Sequence, residues 1–130
     1  MSYYVLAKDT FTVAALVDTA DEWRITCPIL EFLHRSSMNR ATAASCRGFK
    51  AIFGRYAENG PSSLTSAMMH EANKANSILE LIKGDLRLLC FIDGETLCLT
   101  NGYLKKAQKA DMAEVAKAIK AKNEFLSRSR

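Results

Sequence analysis

The residues best equipped for chemistry lie between positions 80 and 109. Arg87 stands inside a short apolar run, a Lys105-Lys106 pair follows the next such run, and Lys83 and Lys109 flank them. Fixed positive charge on and beside a small sheet is suited to holding a phosphate backbone, so the segment points toward nucleic acid. An arginine in mid-strand costs desolvation unless it meets solvent or an anion. Its structural alternative is an ion pair with Glu80 on the neighbouring strand.

Charge is unevenly spread. From Asn101 onward there are eight Lys or Arg (105, 106, 109, 117, 120, 122, 128 and 130) against three acids (111, 114 and 124), while the whole chain is only +4. The positive surplus therefore sits in the carboxyl-terminal quarter. For the lysines of the last helix, a solvated face is the plainer reading. The four cysteines, Cys27, Cys46, Cys90 and Cys98, have no CxxC spacing, and neither histidine is spaced from a cysteine as a metal ligand would be. They read as reduced thiols in a reducing compartment. His34 reads as a helix-surface residue. His70 falls in a weakly patterned stretch and reaches the basic segment only if that stretch folds back over it.

The elements that must position these residues follow from hydrophobic period and turn chemistry. Residues 78–82, 86–92 and 96–100 read as three strands of a meander, turned at Lys83-Gly84-Asp85 and at Asp93-Gly94. A two-residue Asp93-Gly94 loop pairs Cys90 with Leu97, Leu89 with Cys98 and Arg87 with Thr100. Alternation then puts Leu86, Leu88, Cys90, Leu97 and Leu99 on one apolar face, to be covered by the amino-terminal helices. Arg87, Leu89, Phe91, Thr96, Cys98 and Thr100 form the other, mixed face, and Cys90 and Cys98 do not meet. Asp111 with Glu114 makes a capping box for a last helix whose buried stripe reads Met112, Val115, Ala116 and Ile119.

Upstream, residues 1–10 read as an extension or the start of a first strand, 10–17 as a strand, and 18–22 as a polar turn. A helix starts near Pro28, with Ile29, Leu30, Phe32 and Leu33 as its apolar face. A second helix spans about 39–56 and ends at Asn59-Gly60-Pro61. Residues 61–77 read as a loop or a short helix. At 130 residues, 48% hydrophobic and 25% charged, the chain reads as one α+β domain able to bury a core without disulfides or metal. No apolar run approaches the ~18 residues of a membrane span and no secretory signal is visible, so the default location is cytoplasmic.

Several of these motifs, in order, resemble the RelE/HigB superfamily of bacterial type II toxins, in its phage-derived, HigB-like branch. They are Leu79-Glu80-Leu81, then Asp85-Leu86-Arg87-Leu88, then Asn101-Gly102-Tyr103-Leu104-Lys105-Lys106-Ala107-Gln108-Lys109, with the stretch from Cys27 to Arg35 similar to that branch's first helix. The resemblance covers about residues 11–125. It implies a RelE-like fold: a small antiparallel or mixed sheet with two amino-terminal helices on one face and a carboxyl-terminal helix. It also implies a ribosome-associated endoribonuclease that cleaves messenger RNA without metal or other cofactor and is neutralised by a cognate antitoxin, a helix-turn-helix protein.

In such enzymes the RNA 2′-hydroxyl attacks the adjacent phosphate, leaving a cyclic phosphate and a free 5′-hydroxyl. By position, Arg87 would clamp the phosphate, Lys105 and Lys106 would stabilise charge, and Tyr103 would stack on a base or donate a proton. Glu80 would act as a base or pair with Arg87. Lys83, Asn101 and Lys109 would extend the RNA-binding patch. Two departures stand out: Asn101 replaces the branch's usual histidine, and Ile82 replaces the arginine of its "ELR" strand. An amide cannot shuttle protons. The alternative expectation is therefore a catalytically impaired RelE-like protein that binds protein or nucleic acid as a regulator beside a helix-turn-helix partner.

Overall fold

Both faces of the carboxyl-terminal strands carry apolar side chains, and both are covered by helices. The computed structural model describes residues 2–21 and 23–128. Among them the order is β1 (Ser2–Lys8), β2 (Thr12–Asp21), β3 (Arg24–Thr26), α1 (Pro28–Met38), α2 (Ala43–Asn59), β4 (Met69–Asn73), β5 (Ile78–Lys83), β6 (Leu86–Asp93), β7 (Thr96–Leu104) and α3 (Met112–Arg128). A short 3₁₀ turn, Pro61–Ser63, follows α2. Met1 of the expected extension, Glu22 of the expected turn and Arg130 of the basic terminus lie outside the described residues.

The protein is α+β, with a mixed open sheet ordered β1-β2-β7-β6-β5-β4 and β3 paired to β2. β2 runs parallel to β7, and the other pairings are antiparallel. Val13, Ala14, Ala15 and Leu16 are all at most 2% exposed, as in an interior strand covered on both faces. α1 and α2 pack Ile29, Phe32, Phe49 and Phe53 onto Leu81, Leu86, Leu88, Cys90, Leu97 and Leu99. α3 packs Val115, Ala118 and Phe125 onto Leu89, Phe91 and Cys98. The helices are thus divided between the two faces, where the sequence assigned a face only to the amino-terminal pair. Cys90 and Cys98 do lie in opposite layers, and all four thiols are free. Burial pushes both thiols up, Cys98 to about 12.

Three expectations are corrected. Residues 69–73, read as loop or short helix, form edge strand β4 paired to β5. Residues 18–21, read as a turn, continue β2, and residues 2–8 form a full strand beside it. The hairpin loop between β6 and β7 is Gly94-Glu95 rather than Asp93-Gly94, since Asp93 pairs with Thr96. An Asp93-Gly94 loop of the expected type needs a positive φ at aspartate, whereas the observed loop places its positive φ (61°) on Gly94. Moving the loop by one residue shifts the register by two, so the expected faces survive.

A second irregularity does change faces. The register slips between Leu89 and Cys90, which pair with Asn101 and Leu99 and leave Thr100 as the extra residue of a bulge. Leu97 and Leu99 point to the α1–α2 layer, but beyond the bulge Tyr103 belongs to the α3 layer. The Thr100 hydroxyl, itself buried, donates within the bulge, to Leu89 O at 3.1 Å or Asn101 Oδ1 at 2.7 Å.

Candidate functional site

The α3 side of the sheet gathers one polar cluster. Its centre is Glu80 of β5, only 3% exposed. Taking a carboxylate out of water costs several kcal/mol unless donors replace the lost solvent. Three residues from three strands do so. His70 of β4 stands opposite Glu80 in the ladder, with Nε2 at 2.9 Å from Oε1. Tyr103 of β7 donates its hydroxyl to Oε2. Arg87 of β6 places Nε 3.6 Å from Oε1.

Arg87 is directed into this cluster. It is 8% exposed, and its Nη1 donates to Gly84 O at 2.7 Å and Leu86 O at 3.0 Å. Glu80 and two carbonyls therefore engage the guanidinium, which is the ion pair the sequence held as the structural alternative to a phosphate clamp. Tyr103 lies across from Arg87 in the ladder. Burial, reinforced by the bond to Glu80, holds the Tyr103 hydroxyl above its ordinary value, so it stays a donor. The Tyr103 oxygen also accepts from the amide of Asp111 at 3.4 Å. Asp111 Oδ1 in turn caps α3, accepting from Ala113 N at 2.9 Å and Glu114 N at 3.1 Å.

Beside the cluster, β4 and α3 enclose an open cleft of about 590 Å³ whose walls include His70, Glu80, Lys109, Val115 and Ile119. Its accessible polar groups are His70, Glu71, Gln108 and Lys109, and 46% of the His70 side chain is exposed against 4% for Glu80. Met112, expected in the buried stripe of α3, is 86% exposed, and with Ala116 it lines this cleft. The helix is rotated relative to the expected stripe, so that Val115, Ala118 and Phe125 face the sheet.

The other nominated residues are dispersed. Lys105 and Lys106 are exposed just beyond β7, with the Lys105 amide held by Asp85 O at 2.7 Å. Lys109 lines the cleft. Lys83 lies on the opposite side of the sheet, its aliphatic stem over Gly48 of α2. Asn101 is 7% exposed and anchors α3, its Nδ2 donating to Glu114 O at 3.1 Å and Glu114 Oε2 at 2.8 Å. The structure thus brings together Glu80, Arg87 and Tyr103, with Lys109 at the cleft wall, and sets Lys83 and Asn101 apart from that cluster.

His70 is the member that the sequence did not place. Its signal was a short alternating run, Met69 to Asn73, ten residues before Glu80 and joined to β5 by a tight turn in which Ser77 adopts φ 53°. That run is too short and too polar to stand out before its partner strand is known. Among the described residues no three His, Cys, Asp or Glu side chains cluster as metal ligands, and no helix is long and apolar enough to cross a membrane. No protein-family model and no curated protein matches the chain.

Proposed function

We propose that the protein is a RelE-like toxin of a type II toxin–antitoxin pair, an endoribonuclease that cleaves messenger RNA at the ribosome by attack of the RNA 2′-hydroxyl on the adjacent phosphate. The observation that carries the reading is the convergence of Glu80, Arg87 and Tyr103 on one face of the sheet, beside a cleft walled by Lys109. Those four come from the segment whose motifs resemble the toxins. Within the observed order, β2, the α1–α2 pair, the β5–β6–β7 meander and α3 follow the sequence of elements the resemblance implies, with β1, β3 and β4 in addition, and this supports the same reading. The exposed Lys105 and Lys106 supply positive charge for the RNA backbone. The partner in this reading is a helix-turn-helix antitoxin.

A second reading, a regulator that binds without cleaving, is favoured by one specific observation. Arg87 is buried against Glu80 and Asn101 is committed to Glu114, so neither is open to a phosphate.

The deciding experiment is tightly controlled expression in a bacterium, with growth followed and RNA ends mapped. The variant for comparison carries Lys105→Ala, Lys106→Ala and Lys109→Ala, three exposed positions whose loss leaves the core intact. The expected outcome is growth arrest with new cuts inside translated messages, weakened in the triple variant. Normal growth with folded protein and intact messages would favour the binding regulator. Arg87→Ala is a poorer probe, because it removes the buried ion-pair partner of Glu80 and should lower stability for reasons unrelated to catalysis.

A further inference from the structure

We propose that His70 is the general base of this site, taking over the proton transfer that Asn101 cannot perform; the assignment rests on the ribonuclease reading above. The geometry identifies which ring nitrogen acts. Nε2 lies 2.9 Å from Glu80 Oε1. An ionised carboxylate only accepts, so Nε2 carries the hydrogen and Nδ1 holds the lone pair of the neutral ring. Nδ1 has no hydrogen-bond partner among the described residues, and the side chain is 46% exposed at the cleft. A carboxylate that orients a histidine whose ring lines an open cleft is the arrangement of a positioned base.

His70 has a structural role as well, since Glu80 Oε1 takes its hydrogen bond from Nε2 while Tyr103 serves Oε2 and Arg87 Nε stands 3.6 Å from Oε1. That role alone does not call for a ring that is 46% exposed and lines a cleft. Lys109 on the same cleft wall provides positive charge for the non-bridging phosphate oxygens, and Val115 and Ile119 offer an apolar wall to a ribose or base.

The step balances without a further reactant. The 2′-hydroxyl gives its proton to His70 Nδ1 as its oxygen lone pair forms the new O–P bond. The P–O5′ bond breaks and its electron pair leaves with O5′, which takes a proton from water. The imidazolium returns its proton to water, so the products are a 2′,3′-cyclic phosphate and a 5′-hydroxyl.

The test compares wild type, His70→Gln and His70→Ala on ribosomes translating a defined message, with ends mapped and thermal melts recorded. Glutamine can still donate to Glu80 but cannot take a proton. The expected result for His70→Gln is an unchanged melt with cleavage reduced roughly 10²-fold or more. His70→Ala should lose a similar factor and regain part of it with added imidazole, which the open cleft admits. Wild-type cleavage with His70→Gln equally active overturns the assignment while leaving the ribonuclease reading intact. A folded wild type that makes no cuts overturns both.

Discussion

Glu80 organises the site because a buried carboxylate must be matched by donors, and the donors it recruits are the residues whose chemistry matters. Tyr103 is the most tightly coupled of them. Its hydroxyl is held protonated by burial and by Glu80, so the folded state binds that proton more firmly than the unfolded chain, whose tyrosine titrates near 10. This contribution to stability is complete below pH 10 and is lost as pH rises through the higher folded value. Tyr103→Phe should therefore cost about 1.5–3 kcal/mol at neutral pH, the worth of a hydrogen bond to a charged group. It should also flatten the fall in stability above pH 10, measured by urea unfolding across pH. Tyr56, whose hydroxyl burial raises to about 12, titrates with the same sign and remains as background in that variant. At this scale Arg87, Lys105, Lys106 and Lys109 were legible in the sequence as charges of one short segment. What the sequence left open was whether Arg87 faces a ligand or Glu80, because a charge's partner depends on strands that are adjacent only in space.

Single strands and turns carry the next level of control. The meander was readable because alternation and the Asp-Gly signal are local, and its two faces survive the shifted loop because the register moved by an even number. The bulge at Thr100 is different. It reverses the parity of β7, which is why Tyr103 reaches Glu80 on the α3 side while Leu97 and Leu99 belong to the other layer. Gly102, just beyond it, lets α1 come close: a Cβ there would sit 2.4 Å from the Phe32 ring. Gly102→Ala should lower stability by about 1–3 kcal/mol through overpacking. Adding Phe32→Leu should recover part of that loss, giving a coupling in a double-mutant cycle that two independent sites would not show. β4 illustrates the opposite limit, since a five-residue polar strand gains its identity from pairing with β5 rather than from its own propensity.

For the molecule as a whole, β1 is the strand that lies before residues 11–125. It pairs along β2, its Leu6 and Ala7 pack against the α1–α2 layer, and its Tyr3 ring lies 6.4 Å from Phe125 of α3. One strand thus ties together the layers on both faces of the sheet. Removing residues 1–8 should lower stability, roughly 1–2 kcal/mol from the half-buried Leu6 alone, and should uncover the outer edge of β2. Unfolding in urea and light scattering of the truncated protein check both effects, with association expected from an exposed strand edge. The sequence by itself determined the α+β class, the helix pair, the two faces of the meander, the cap of α3 and the basic carboxyl-terminal quarter, because each rests on periodicity or on neighbours a few residues apart. Only the tertiary structure decided that α3 covers the mixed face, that Arg87 turns inward, that Asn101 anchors a helix and that His70 joins Glu80. Those outcomes depend on the parity of a bulge and on pairings between distant strands, which no local pattern encodes.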